Sequence, residues 1–235
     1  MATTFGNGGG SSGHGGIDGE VEDARPCLKR LVDQGSVESR KFYLARKTAW
    51  EMLKDRGYKV ADSELTRSLA EFRSDFGDKP ELERLRISAS LRSNPSKKIL
   101  VVFMGTDDIR KATVRALHCQ ILKESLSGLI LILQSKMNSF ARKELESFPF
   151  KVEVFQIADL YVNVTKHYLM PKHEVLTAEE KQKLLKKYQL EDNQLPQMLR
   201  TDAIAQYYGL EKGQVVKVTY SEEFFQLHEQ YRCVV

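Results

Sequence analysis

Cysteine is scarce. Cys27, Cys119 and Cys233 are the three in 235 residues, widely scattered and with no C-x-x-C pair. So odd and sparse a set argues against a disulfide framework and against a cysteine-built zinc site, and it suits a reducing compartment, cytosol or nucleus. Long apolar runs are missing too: the stretches at 99–104 and 129–133 fall far short of the ~20 residues that cross a bilayer. No charged start leads into an apolar core and a small-residue cleavage site, so neither secretion nor a membrane partner is expected. Glycine is dense only at the start, where Gly6–Gly10 precede no strand or helix, and the chain has no G-x-x-x-x-G-K-[ST]. A phosphate-cradling loop or a nucleophile elbow needs such a turn between a strand and a helix.

The charge is ordinary in amount, with a net of +4, but uneven in place. Residues 1–35 carry 3 basic and 5 acidic groups, 36–160 carry 23 and 17, and 161–235 carry 10 of each. Any attraction to phosphate therefore belongs to the middle of the chain.

Along the chain, eight glycines in the first twenty residues mark a leader over 1–35 that cannot bury enough apolar surface to fold. Within it Cys27, Leu28, Leu31 and Val32 suggest a short helical turn. A helix follows over 36–56, capped by Ser36 or Ser39, with Phe42, Ala45, Ala49, Met52 and Leu53 at helical spacing and Gly57 as its stop. A second helix is expected over 63–76. Period-two alternation then predicts a strand over 84–92. Buried strands at 99–104, 129–133 and 151–157 alternate with helices at 107–126 and 138–148, the pattern of an α/β domain with a mixed sheet and flanking helices, bounded at 36–158.

From 159 to 235 the pattern resets to a small α+β domain. Residues 161–166 are read as a strand and 170–173 as a turn. Thr177 opens a helix with capping-box spacing to Glu180, and Leu195-Pro196-Gln197 is extended because Leu195 precedes a proline. Thr201-Asp202 cap a short helix ending at Gly209, Gly213 turns into a strand over 214–220, and a last strand covers 230–235.

Catalytic chemistry finds little support. A metal-dependent nuclease would place carboxylates after a strand, as Asp107 and Asp108 stand, but it also needs a second acid and a nearby lysine. The one Glu-x-Lys, Glu179-x-Lys181, lies in the other domain, and helix capping is the ordinary role for Asp107 or Asp108. His118-Cys119 diverge on a helix and His167 and His173 span a turn, so four convergent metal ligands cannot be assembled. Binding remains. Arg110, Lys111 and Arg115 share one side of a helix, and Lys136 and Arg142 bracket the start of the next, where helix N–H groups and cations together favour phosphate. A free-standing DNA-binding adaptor is the competing reading of those cations.

The C-terminal third carries a specific string: Val162-Asn163-Val164-Thr165-Lys166-His167, Leu169-Met170-Pro171-Lys172-His173, Leu176-Thr177, Glu179-Glu180-Lys181, Gln194-Leu195-Pro196, Asp202, Tyr207, Gly209-Leu210, Gly213 and Val215-Val216-Lys217. It resembles the assembly domain of the fifth subunit of eukaryotic nuclear RNA polymerases, a domain with a counterpart in the archaeal enzyme. Residues 36–157 are similar, more loosely, to the jaw domain of the same subunit, with the helix over 40–56 and Gly57-Tyr58 as the best marker.

The resemblance implies a non-catalytic role in the nucleus, with no cofactor and no metal. The C-terminal domain would dock on the largest polymerase subunit and the N-terminal one would form part of the jaw around downstream duplex DNA. Assembly would then involve Pro171, His173, Leu195, Pro196, Gly209, Gly213, Val215, Val216 and Lys217. The DNA-proximal set would be Lys136, Asn138, Ser139 and Arg142, where the family has a Thr-Pro-Ser-Ala segment, with Arg110, Lys111 and Arg115 behind them. Residues 138–141 depart from that segment, and 220–228 depart from the family's hairpin tail, although Tyr231-Arg232 survive. Such departures suggest a specialised paralogue resembling the plant variant of RNA polymerase V, which makes non-coding transcripts for RNA-directed DNA methylation and gene silencing. The alternative is a subunit shared with RNA polymerases II and IV or other nuclear polymerases.

Overall fold

Helix α1, Val37–Asp55, begins at Ser36, whose side chain accepts the N–H groups of Glu38 and Ser39 at 3.1 and 3.4 Å. It buries Phe42, Ala45, Ala49, Met52 and Leu53, and Gly57 ends it at φ +86°. The computed structural model describes residues 35–122, 124–220 and 228–235. The glycine-rich leader, the turn read around Cys27 and nearly all of the altered tail lie outside them. The expected helix over 63–76 is instead two, α2 (Asp62–Thr66) and α3 (Leu69–Phe76). Ser68 interrupts it: its hydroxyl accepts from the N–H of Glu71, whose carboxylate accepts from the N–H of Ser68. That reciprocal cap starts a new helix and overrides the continuing apolar period.

Strands β1 (Ile87–Ser90), β2 (Lys98–Phe103), β3 (Leu126–Leu133) and β4 (Lys151–Gln156) form one sheet in that order. β1 runs antiparallel to β2, and the other three are parallel. Helices α4 (Lys111–Ile121) and α5 (Ser139–Leu145) make the two crossovers. Ile99, Val101, Phe103, Ile130 and Ile132 pack with α1 and Phe72, whereas Leu100, Val102, Leu129, Leu131 and Leu133 pack with α4 and α5. Both faces are covered, which is why β2 and β3 read as unbroken apolar runs.

The helix expected over 107–126 is shorter at both ends. Asp107 and Asp108 do not cap it; Arg110 occupies the cap position and offers no side-chain bond. The bridge between Ile109 and Met137 holds the preceding segment in ladder geometry, and the pairing of Leu126 with Lys98 claims the other end for β3.

Two further expectations fail in the second half. Residues 161–166 form no strand: a 3₁₀ turn covers Val164–Lys166, begun by Asn163, whose side chain accepts from the N–H of Thr165 at 3.0 Å. A local side-chain bond of that kind outcompetes β propensity. The turn read at 170–173 runs into β5 (Lys172–Val175), which pairs antiparallel with β7 (Val215–Tyr220) across 40 residues of chain. Helix α6, Ala178–Tyr188, has the expected capping box of Thr177 and Glu180. Pro196 leads into β6 (Gln197–Met198), parallel to β8 (His228–Val234), and Asp202 caps α7 (Ala203–Tyr208). The second sheet has the order β5-β7-β8-β6. Mixed sheets with flanking helices give the chain an α/β architecture.

Candidate nucleic-acid and assembly surfaces

The carboxyl ends of β2 and β3 gather the first-ranked cationic candidates. The Ile109–Met137 bridge and the bond from the Asn138 N–H to the Ile109 carbonyl (3.2 Å) bring the starts of α4 and α5 together. Arg110, Lys136, Asn138, Ser139 and Arg142 therefore share one edge. Asn138 is the cap of α5, its side chain accepting from the N–H of Phe140 at 2.9 Å, while the Ser139 hydroxyl donates to Asn138. Phe140 is exposed beside them.

The second-ranked cations divide. Lys111 and Arg115 both grip Glu144 of α5, at 3.1 and 2.7 Å. The hydrogen bonds from Arg115 and then Lys111 hold the Glu144 carboxyl below its usual range. Arg110, Lys136 and Arg142 have no ion pair among the described residues. Among the described residues no three His, Cys, Asp or Glu side chains are grouped to hold a metal ion.

Of the assembly candidates, His173 lies on β5 and Val215, Val216 and Lys217 on β7, while Pro171, Leu195, Pro196, Gly209 and Gly213 lie in the turns and helix ends around that sheet. Leu195, Val215 and Val216 are interior, and Pro196 accepts from the N–H of Cys233 at 2.8 Å, which seats β6 against β8. Gly213 stands at φ +86°, donates to the Val234 carbonyl and accepts from Lys181 Nζ, each at 2.8 Å; a side chain there would be strained. Gly209 ends α7 at φ +64°. Lys217 bridges to Glu229 at 2.6 Å across the β7–β8 pair. His173, after Pro171, is half-buried on β5, and burial pushes its imidazole below the ordinary value. Val162, Tyr168, Leu169 and Leu199 are exposed apolar side chains of this half that no helical or strand period could place.

The junction between the two sheets is polar, and sequence reasoning missed it. Arg56 follows α1 with a side chain 7% exposed; it donates to Glu153 of β4 (2.7 Å) and to the carbonyls of Gln206 (2.7 Å) and Tyr207 (2.8 Å) at the end of α7. Tyr207 donates to Asp55 at 2.7 Å and accepts from Asn163 at 3.1 Å, and Asn163 also donates to Glu51 at 2.8 Å. Burial, and then the bond to Asp55, push the Tyr207 hydroxyl well above the ordinary tyrosine value. No spacing rule connects residues about 150 positions apart.

Comparison with known proteins gives these surfaces a context. Family models described as RNA polymerase Rpb5, N-terminal domain and C-terminal domain match residues 36–121 and 162–234. The chain is 55% identical over 220 residues to DNA-directed RNA polymerase V subunit 5C of Arabidopsis thaliana, covering 93% of this chain and 94% of that one. It is 50% identical over 204 residues to the Arabidopsis subunit 5B of DNA-directed RNA polymerases IV and V, covering 86% and 94%. It is 35% identical over 206 residues to subunit RPABC1 of DNA-directed RNA polymerases I, II, and III of Caenorhabditis briggsae, covering 85% and 98%. The chain belongs to the RNA polymerase Rpb5 family.

Proposed function

We propose that this chain is a non-catalytic, nuclear subunit of a DNA-directed RNA polymerase, and that the polymerase is RNA polymerase V, whose transcripts guide RNA-directed DNA methylation. The observation that carries the reading is the gap in similarity: 55% identity to a polymerase V subunit against 35% to a subunit shared by polymerases I, II and III, each over most of the chain. The two halves divide the labour. Residues 159–235 dock on the largest subunit, with Pro171, His173, Gly209, Gly213 and Lys217 shaping the surface over the interior Leu195, Val215 and Val216. Residues 36–158 form a jaw whose Lys136, Asn138, Ser139 and Arg142 edge meets downstream duplex DNA, with Arg110 beside it. Phosphate contact without base reading suits an enzyme that moves over every sequence.

Affinity purification of the tagged chain from nuclear extract, with identification of the co-purifying largest subunit, tests the assignment. Recovery of the polymerase V largest subunit is the expected result. Recovery of the polymerase IV one as well would align the chain with the 5B relative, and recovery of the polymerase I, II and III subunits alone would overturn the assignment. The DNA edge is tested separately: neutralising Lys136 and Arg142 should leave assembly intact and lower the salt slope of elongation-complex stability by up to about two phosphate contacts.

A further inference from the structure

The uncompensated charge of the first half is not confined to the edge with Arg142. The opposite end of the same sheet, roughly 20 Å away along β3, collects Lys54, Lys59, Arg92, Lys97 and Lys98. The backbone binds these segments to each other: the Lys59 N–H donates to Ser90 (2.8 Å), the Arg92 N–H to Gly57 (3.0 Å) and the Leu91 N–H to Lys97 (2.9 Å). Arg92 Nε also donates to the Tyr58 carbonyl at 3.2 Å, which fixes the stem of that side chain. All five cations are exposed and none has an ion pair among the described residues. Two nearby acids are engaged elsewhere: Asp55 accepts from Tyr207, and Glu153 is held by Arg56 and Lys151. Asp62, three residues after Lys59, and Glu124, two before β3, pair with none of the five cations among the described residues. The other edge has Glu144 to neutralise two of its cations; this one has no equivalent.

We propose that this end of the sheet is a second cationic surface that meets the phosphodiester backbone of duplex nucleic acid. Lys98 pairs with Ser90 in the β1–β2 ladder, the Tyr58–Leu91 bridge sets Lys59 and Arg92 beside that pair, and Lys54 stands in the last turn of α1, so the cations form a charged patch for a phosphate backbone. None of the large exposed apolar side chains belongs to 54–59 or 90–98, so these two segments present charge rather than an apolar anchor, although Leu122 is exposed four residues before Leu126, the partner of Lys98. It also lacks an exposed ring on which unpaired bases stack, because Tyr58 is partly buried against the core; this selects a duplex over a single strand.

The test is fluorescence anisotropy of the purified full chain with a labelled DNA duplex of about 20 base pairs, between about 50 and 200 mM salt. Replacing Lys59, Lys97 and Lys98 by Gln together should lower the slope of log affinity against log salt by up to about 3. The triple Arg variant should keep the wild-type slope, and both should unfold at the wild-type temperature. Replacing Lys136 and Arg142 by Gln should lower the slope independently, so a loss confined to that pair would support the jaw edge and overturn this second surface. Absence of duplex binding by the wild-type chain at the lowest salt would also overturn it. So would a triple Gln variant that loses binding to polyglutamate while holding the duplex, since the surface would then serve an acidic polypeptide.

Discussion

The two sheets solve the same burial problem by different means. In the first, β2 and β3 lie between two layers of helices, and Val101, Ile130 and Ile132 are fully shielded on one face while Leu129, Leu131 and Leu133 are shielded on the other. In the second, β7 and β8 form an antiparallel pair whose apolar residues split into two small clusters, one around Val216 and Val218 and one around Val215 and Cys233. Apolar density holds the first half. Turns, caps and pairing between distant strands hold the second, and the polar junction through Arg56 joins them.

Core truncation should separate the halves most strongly. Ile130→Ala in the first sheet should cost about 2–5 kcal/mol, whereas Val216→Ala in the second should cost roughly 2 kcal/mol, because it removes less side chain from a smaller cluster. Urea unfolding of both variants measures the order, and a larger loss from Val216→Ala would break the comparison.

The junction is next. Arg56→Ala removes the nearer of the two cations on Glu153, which keeps Lys151, and takes the arginine donor from the carbonyls of Gln206 and Tyr207, a loss of roughly 2 kcal/mol. It should also uncouple the sheets, so that tryptophan fluorescence (Trp50, first half) and far-ultraviolet dichroism no longer change together in urea. Coincident transitions would show that the apolar contacts alone join the halves.

Cap removal compares them on equal terms. Ser68→Ala in the first half and Thr177→Ala in the second should each cost about 1 kcal/mol in thermal or chemical unfolding. A much larger effect of Thr177→Ala would show that the second half depends on its local turns.

The smaller effects are electrostatic. Tyr207 has a raised hydroxyl pKa in the folded chain, so its contribution is fully present below pH 10 and is lost as pH rises through the folded value. Stability should therefore fall on the alkaline side, and Tyr207→Phe should flatten that limb while losing the bond to Asp55. Glu144→Gln should leave stability unchanged, because the carboxylate and its two cations are at the surface. It should nevertheless steepen the salt dependence of DNA binding by freeing Lys111 and Arg115.

What the sequence shows depends on how local the deciding interaction is. Helix α1, the capping box at Thr177, the stop at Gly57 and the three parallel strands are legible because spacing and nearest neighbours decide them, although β4 is only half-buried. The break between α2 and α3 was equally local, and the Ser68–Glu71 spacing was its signal. Strand β5 was not legible: three polar residues and a valine after a proline become a strand only because β7, 40 positions later, lies alongside.

The sequence alone determined the α/β order of the first half, the concentration of positive charge in residues 36–160 and the string over 162–217 that identifies the family. Tertiary structure decided which of those charges are available. It set Glu144 between Lys111 and Arg115, left Lys136 and Arg142 without an ion pair among the described residues, and carried Lys59, Arg92, Lys97 and Lys98 together at the far end of the sheet. It also closed the junction through Arg56, Tyr207 and Asn163. Whether a charge is neutralised depends on distances of a few ångströms between residues tens to hundreds of positions apart, and only the folded chain sets those distances.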